Sequence, residues 1–219
     1  MSSVDDLPPA LPAMWRLCKL GYRHEPALML VAFVLSLVSA LPDALMALWF
    51  KLLGEGVLQP TAQQVAERAG VGIRSVFRHF DDMDSLFATM DSRLRADALP
   101  ILRGAAPEGA LRERARALVE RRAKVFERVA PYKRSANVQR WRSRFLSTRH
   151  GAMVRELRAD LLRSLPELAD APAETLEAAD LITSFEAWDR LRADQRLSRE
   201  RAEATLGRAL LALLERAER

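Results

Sequence analysis

At 219 residues, with 49% hydrophobic and 29% charged side chains, the chain can close an ordinary core and has none of the composition of a disordered or collagen-like protein. Its formal charge of +5 is spread unevenly, and a single cysteine, Cys18, excludes an intrachain disulfide and fits a reducing, cytoplasmic setting. No phosphate-cradling glycine loop, nucleophile elbow or catalytic carboxylate pair is present, and His24, His79 and His150 lack metal-ligand spacing, so no enzyme activity, cofactor or metal is expected.

The chain opens unusually. Residues 14–23 mix aromatic and basic side chains, with Trp15 and Tyr22 suited to a membrane interface. Residues 27–41 are then apolar apart from two serines, and after Pro42-Asp43 the run resumes as Ala44-Leu-Met-Ala-Leu-Trp-Phe50. As a helix, residues 27–50 span about 36 Å at roughly 1.5 Å each, against about 30 Å of bilayer hydrocarbon. Residues 14–58 weakly resemble the elbow helix and first membrane helix of an ABC exporter.

The flanking charges oppose a useful span. Arg16, Lys19 and Arg23 precede the apolar run, whereas Lys51 is the only basic residue between positions 51 and 67. The positive-inside tendency keeps the N-terminus cytoplasmic and sends whatever follows to the other side. Three arrangements are open: a hairpin bent at Pro42-Asp43, an inverted orientation, or no insertion. In the last, which we prefer to a membrane partner for residues 27–50, residues 43–53 form the first helix of the domain that follows, with Pro42 and Asp43 at its start.

That domain carries the most specific signal. In Thr61-Ala-Gln-Gln-Val-Ala-Glu-Arg-Ala-Gly70-Val-Gly-Ile-Arg-Ser-Val-Phe-Arg-His-Phe80, Thr61 caps a helix, Val65, Ala66 and Ala69 form its apolar face, and Gly70 supplies the left-handed residue that ends it. A second short helix follows, with Val71, Val76, Phe77 and Phe80 expected inside and Gly72, Ile73, Arg74, Ser75, Arg78 and His79 outside. The outer set suits groove edges and phosphates.

This pattern, with Leu86 in the next helix, resembles the helix-turn-helix of the TetR/AcrR family of transcriptional regulators. The resemblance implies a homodimer whose recognition helices enter successive major grooves of a pseudo-palindromic DNA operator, commonly as a repressor released by a small-molecule effector. It assigns Arg74 to guanine reading, Ser75 and Ile73 to nearby base edges or a thymine methyl, Gly72 to close backbone approach, and Thr61, Arg78 and His79 to phosphates. The family usually places a lysine at a phosphate near the start of the next helix; this chain has Met83.

Residues 82–99 read as a connecting helix stopped by Pro100. Further helices are expected at 110–129, 132–148, 152–165, 173–193 and 199–216, each bounded by Pro, Gly, Ser or Asp. Residues 103–163 carry 17 basic and 6 acidic side chains, either as a DNA-attracting surface or, the preferred reading, as a solvated face in an arginine-rich protein. The last two helices have apolar stripes. Given the resemblance, Leu181, Phe185, Trp188, Leu206, Leu210 and Leu213 are expected at a dimer interface, with packing inside the chain as the alternative. Phe126, Trp141 and Phe145 are the expected lining of an effector pocket, with core filling as the alternative.

The expected fold is therefore all-α: a helix-turn-helix DNA-binding head at residues 43–99, a helical ligand-binding and dimerisation body at 100–219, and an atypical hydrophobic N-terminal segment at 1–42. The expected function is sequence-specific regulation of transcription. The rival is a membrane-associated or transporter-derived protein whose location is dictated by its N-terminal segment.

Overall fold

The computed structural model describes residues 19, 25–80, 82–104 and 106–217, except for the side chains of residues 33, 34, 37–40, 79, 216 and 217. The expected interfacial segment, apart from Lys19, and with it Cys18 and His24, lies outside the described residues. Every regular element among the described residues is helical.

Helix α1, Pro26–Gly54, begins with proline in its first turn and continues through Pro42 without a break. Its two halves differ. In the first, Leu28, Leu30, Val31 and Leu35 are 52–64% exposed. In the second, Leu45, Met46, Trp49, Leu52 and Leu53 are buried, at the i, i+1, i+4, i+7, i+8 spacing of one helical face. That face joins Val65, Val76 and Phe80 in one apolar cluster, so residues 43–53 cover the helix-turn-helix. Among the described residues no helix is long and apolar enough to cross a membrane.

The head continues with α2, Ala62–Ala69, and α3, Ile73–His79. Thr61 Oγ1 accepts the Gln64 N–H at 3.2 Å, and Gln64 Oε1 accepts the Thr61 N–H at 2.9 Å, a reciprocal cap. At the other end Gly70 sits at φ +66° and the Val71 N–H returns to the Ala66 carbonyl at 3.0 Å, closing the helix as a left-handed glycine allows. Helix α4, Met83–Leu102, then links head to body. Its Leu86, Phe87 and Met90 lie in the head cluster and its Ala98 and Leu102 in the body core.

The body comprises α5 (Leu111–Gln139), α6 (Arg144–Ser164), a 3-10 turn (Pro166–Ala169), α7 (Ala173–Ile182), α8 (Phe185–Asp189) running into a π-turn (Arg190–Asp194), and α9 (Arg199–Ala217). Several expected boundaries move. Pro131 and Pro100 lie inside α5 and α4, and Gly151 lies inside α6. An interior proline costs roughly 3 kcal/mol, and burial on both sides of Pro131, by Ala130 and Tyr132, offsets it. The expected single helix 173–193 breaks instead at Ser184, whose hydroxyl caps α8 by accepting the Ala187 N–H at 3.1 Å.

The dimer stripe is corrected as well. Phe185, Trp188, Leu206 and Leu210 are 0–7% exposed within the single chain and belong to the body core. Leu213 is half-buried against that core, and only Leu181 of the six, at 69% exposure, faces outward. α9 packs on α5 and α7, and one apolar stripe cannot face both the chain's own core and a second subunit.

About half of the basic side chains in the arginine-rich middle block are paired with acids, several of them distant in sequence. Arg149 pairs with Asp91 at 2.7 Å, Arg134 with Asp189 at 2.6 Å and Arg158 with Glu177 at 2.7 Å. At the centre, Asp160 is 1% exposed and takes Arg121 at 2.8 Å, Arg122 at 3.2 Å and Arg163 at 2.9 Å. Arg122 also donates to the Thr183 carbonyl at 2.7 Å, so α5, α6 and the end of α7 meet on one buried network.

Two expectations follow. Deleting residues 1–40 leaves the head folded, whereas deleting residues 1–56 uncovers Val65, Val76 and Phe80 and unfolds α2 and α3; amide hydrogen exchange of these helices reads the difference. At Gly70 no atom lies within 4 Å of a built Cβ, so substitution is opposed by backbone conformation alone. Gly70→Val lowers stability in urea melts by about 1–2 kcal/mol, and Gly70→Asn by less than half as much, because asparagine tolerates this region.

Candidate nucleic-acid interface

Helix α3 has seven residues, too short to persist alone in water. Val76 and Phe80 anchor it, at 4% and 8% exposure. At 100° per residue their anchoring turns Ile73, Arg74, Phe77 and Arg78 outward, and all four are exposed. Phe77, expected inside, is 52% exposed; it lies one position from Val76 and therefore off the buried face. The outer surface thus holds two i, i+4 pairs side by side, apolar Ile73–Phe77 and cationic Arg74–Arg78. Sequence reasoning missed Phe77 because an aromatic beside a buried valine reads as core.

The other expected contacts divide. Ser75 is half-buried and Gly72 exposed. Gly72 is extended at φ −70° and forms the N-terminal boundary of α3 without a side-chain cap, so its freedom of φ is not used and its lack of a side chain leaves the helix start bare. Thr61 is exposed with its hydroxyl engaged in the α2 cap. His79 closes α3, and its side chain lies outside those described. Met83 packs partly buried against the head cluster, so the position where the resembled family has a phosphate-binding lysine is used here for packing.

Arg74 and Arg78 take part in no hydrogen bond or ion pair among the described residues, whereas Arg68 on the adjacent helix binds Glu55 at 2.6 Å. Two unpaired guanidinium groups beside apolar side chains can donate to phosphate or guanine and cover a thymine methyl. The expected effector residues do not converge. Phe126 is buried, edge-on to Phe185 at 5.6 Å, and borders a cleft of about 70 Å³. Trp141 is 81% exposed in the turn between α5 and α6, beneath Arg140 at 4.6 Å. Phe145 is half-buried toward the head cluster. A residue with both an aromatic body and an irregular backbone environment gives no sign in sequence of which side it faces.

Comparison with known proteins agrees with this geometry. Residues 51–90 match the family described as bacterial regulatory proteins, tetR family; the match takes in the end of α1, all of α2 and α3, and the start of α4. Comparison with curated proteins gives no match. Among solved structures, the fold is similar to that of a transcriptional regulator from Rhodococcus sp. Rha1, with a TM-score of 0.64 and 22% sequence identity, over 81% of this chain and 98% of that one. Capped helix, left-handed glycine turn, outward arginines and family match coincide on the same forty-residue stretch, so residues 51–90 carry the helix-turn-helix head that the tetR family model describes.

Proposed function

We propose that the chain is an effector-responsive repressor that works in the cytoplasm as a homodimer, its two α3 helices reading adjacent major-groove half-sites of a pseudo-palindromic operator. The head, residues 43–99, reads DNA, and the body, residues 100–219, dimerises and receives the effector. The supporting observation is the outer face of α3, where Arg74 and Arg78 stand exposed without acid partners on an otherwise closed head. Arg74 reads a guanine, Ile73 and Ser75 adjacent base edges, and Gly72 admits the backbone, while Thr61, Arg78 and His79 hold phosphates. Phe77 extends the apolar contact begun by Ile73.

With the inner stripe of α9 committed to the core, the dimer surface lies on its other side. There α5 and α9 border a broad cleft of about 750 Å³ lined by Arg112, Arg116, Glu203, Gly207, Arg208 and Leu211 among others. Mixed charges around small residues suit a two-fold contact, in which each group meets the oppositely charged group of the copy.

A second reading has one observation behind it, the exposed apolar first half of α1, which suits attachment to a membrane. Carbonate extraction of membranes separates it from the first reading, since an attached protein stays in the pellet.

Arg74→Ala is expected to weaken operator binding by roughly 1–3 kcal/mol per subunit and to relax preference at one base pair per half-site, while binding to scrambled DNA changes little. Equal losses on both DNAs at fixed salt would reassign Arg74 to a phosphate. For the dimer, a Cβ at Gly207 meets nothing within 4 Å in the chain, so Gly207→Trp leaves the subunit fold intact by circular dichroism. It raises the dimer dissociation constant at least about tenfold, as overpacking an interface does; sedimentation equilibrium measures it.

A further inference from the structure

Lys133 is a cation that the fold leaves without a counter-ion. The chain has four lysines, of which Lys19, Lys51 and Lys124 are exposed and Lys133 is 5% exposed. A buried ammonium ordinarily sits on a carboxylate. Among the described residues Lys133 instead donates to His150 Nδ1 at 2.8 Å and has the Phe185 ring at 6.0 Å. Burial lowers its pKa to about 8, and burial with the nearby Lys133 and Arg140 lowers that of His150, which fits a neutral imidazole accepting through Nδ1. The charged groups that face Lys133 are Asp91 from α4, Arg140 from its own helix, Arg149 from α6 and Glu186 from α8; Asp91 is already bound by Arg149 at 2.7 Å.

The same small cleft, about 40 Å³, is lined by Lys133, Asn137, Arg140 and His150. Arg140 Nε and Asn137 Oδ1 are buried there without partners. The Asn137 amide can be turned end for end to present its NH₂, and three donors then line a cleft whose one carboxylate, Asp91, is held by Arg149 at 2.7 Å. Buried donors in native proteins are nearly always satisfied, so this arrangement calls for an anion.

The polar cleft adjoins an apolar one. Asp91, Tyr132, Lys133, Arg149 and Met153 line both it and the neighbouring cleft of about 70 Å³, whose other walls include Leu94, Leu102, Phe126 and Val129. We propose that the adjoining clefts bind a small organic acid, with its carboxylate on Lys133 and Arg140 and its apolar part, one ring or a short alkyl chain, against Leu94, Phe126 and Val129. A purely inorganic anion leaves the second cleft empty, and a neutral ligand leaves the ammonium unpaired. The inference rests on the effector-responsive reading above and names the class of effector. α4 carries Asp91 and Leu94 and begins at the head, so occupancy acts on the helix that holds the recognition element.

Calorimetric titration of the full chain with benzoate and hexanoate, against benzamide, hexanamide and inorganic phosphate, tests the proposal. The acids bind, the amides and phosphate bind at least about tenfold more weakly, and Lys133→Met abolishes the difference without lowering the melting temperature, since an apolar chain replaces an uncompensated charge. Arg140→Gln weakens the acids in the same sense. Acid binding weakens as pH rises through about 8 and takes up a proton there, seen in buffers of different ionisation enthalpy. Equal binding of acid and amide, phosphate binding as tight as that of the acids, no binding of either acid at millimolar concentration, or unchanged acid binding by both variants overturns it. DNA binding by the free chain is measured separately: its absence with acid binding intact defeats the regulator reading, and its presence without acid binding defeats this one.

Discussion

The apolar core of the head does not end at the head. Leu45, Trp49 and Leu52 from α1, Val65, Val76 and Phe80 from the helix-turn-helix, and Phe87 and Met90 from α4 share one packed cluster with Tyr132 and Ala136 of α5 and Leu146 of α6. The seven-residue helix α3 has no stability of its own, so its position is whatever this cluster imposes. Burial of each large side chain is worth roughly 1.5–3 kcal/mol, and closely packed interiors resist gradual deformation. The outward arginines are therefore aimed from the body as much as from the head.

Electrostatics sharpens the same division of labour. Several cations of the middle helices are held by acids distant in sequence, and Asp160 alone gathers three arginines. A buried network of this kind adds little net stability over an apolar replacement, but a missing member leaves a stranded charge, so it fixes how α5, α6 and α7 meet. Three cations outside these pairs sit at positions that matter to the fold. Arg74 and Arg78 lie on the head's outer face, and Lys133 lies where the body meets the head. Arg74 and Arg78 are set apart by their place on the short helix α3, and Lys133 by its burial at 5% exposure.

What could be read from sequence follows the range of the forces involved. Thr61, Gln64, Val65, Ala66 and Gly70 act through hydrogen bonds and contacts within about one turn, and the cap, the apolar face and the left-handed turn all form. Phe77 depends on the exact roll of a short helix, and that roll is set by Val76 and Phe80 docking on α1. Pro131 reads as a stop because propensity is local, whereas the continuity of α5 comes from burial on both flanks. Phe185, Trp188, Leu206 and Leu210 read correctly as apolar stripes, but a stripe specifies burial and not the surface that provides it. The charge pattern hid its own meaning, because Arg149 and Asp91, or Arg134 and Asp189, are separated by 58 and 55 residues.

The first helix is the clearest case of that limit. Its apolar residues run all round the cylinder, so no period distinguishes a core helix from a lipid-facing one, and only its neighbours decide. Beyond Asp43 they are the faces of α2 and α3, and the helix becomes the lid of the head. The same reasoning locates the seam at Lys133. α5 carries Phe126 in the body core and Tyr132 in the head cluster, with Lys133 immediately beyond, and the Tyr132 hydroxyl donates to the Phe87 carbonyl of α4 at 3.4 Å. A group that binds there touches both clusters at once. It can favour one arrangement of head and body over another only by the difference in its contacts to the two, and a polar seam between two tightly packed apolar masses is where small displacements make that difference largest.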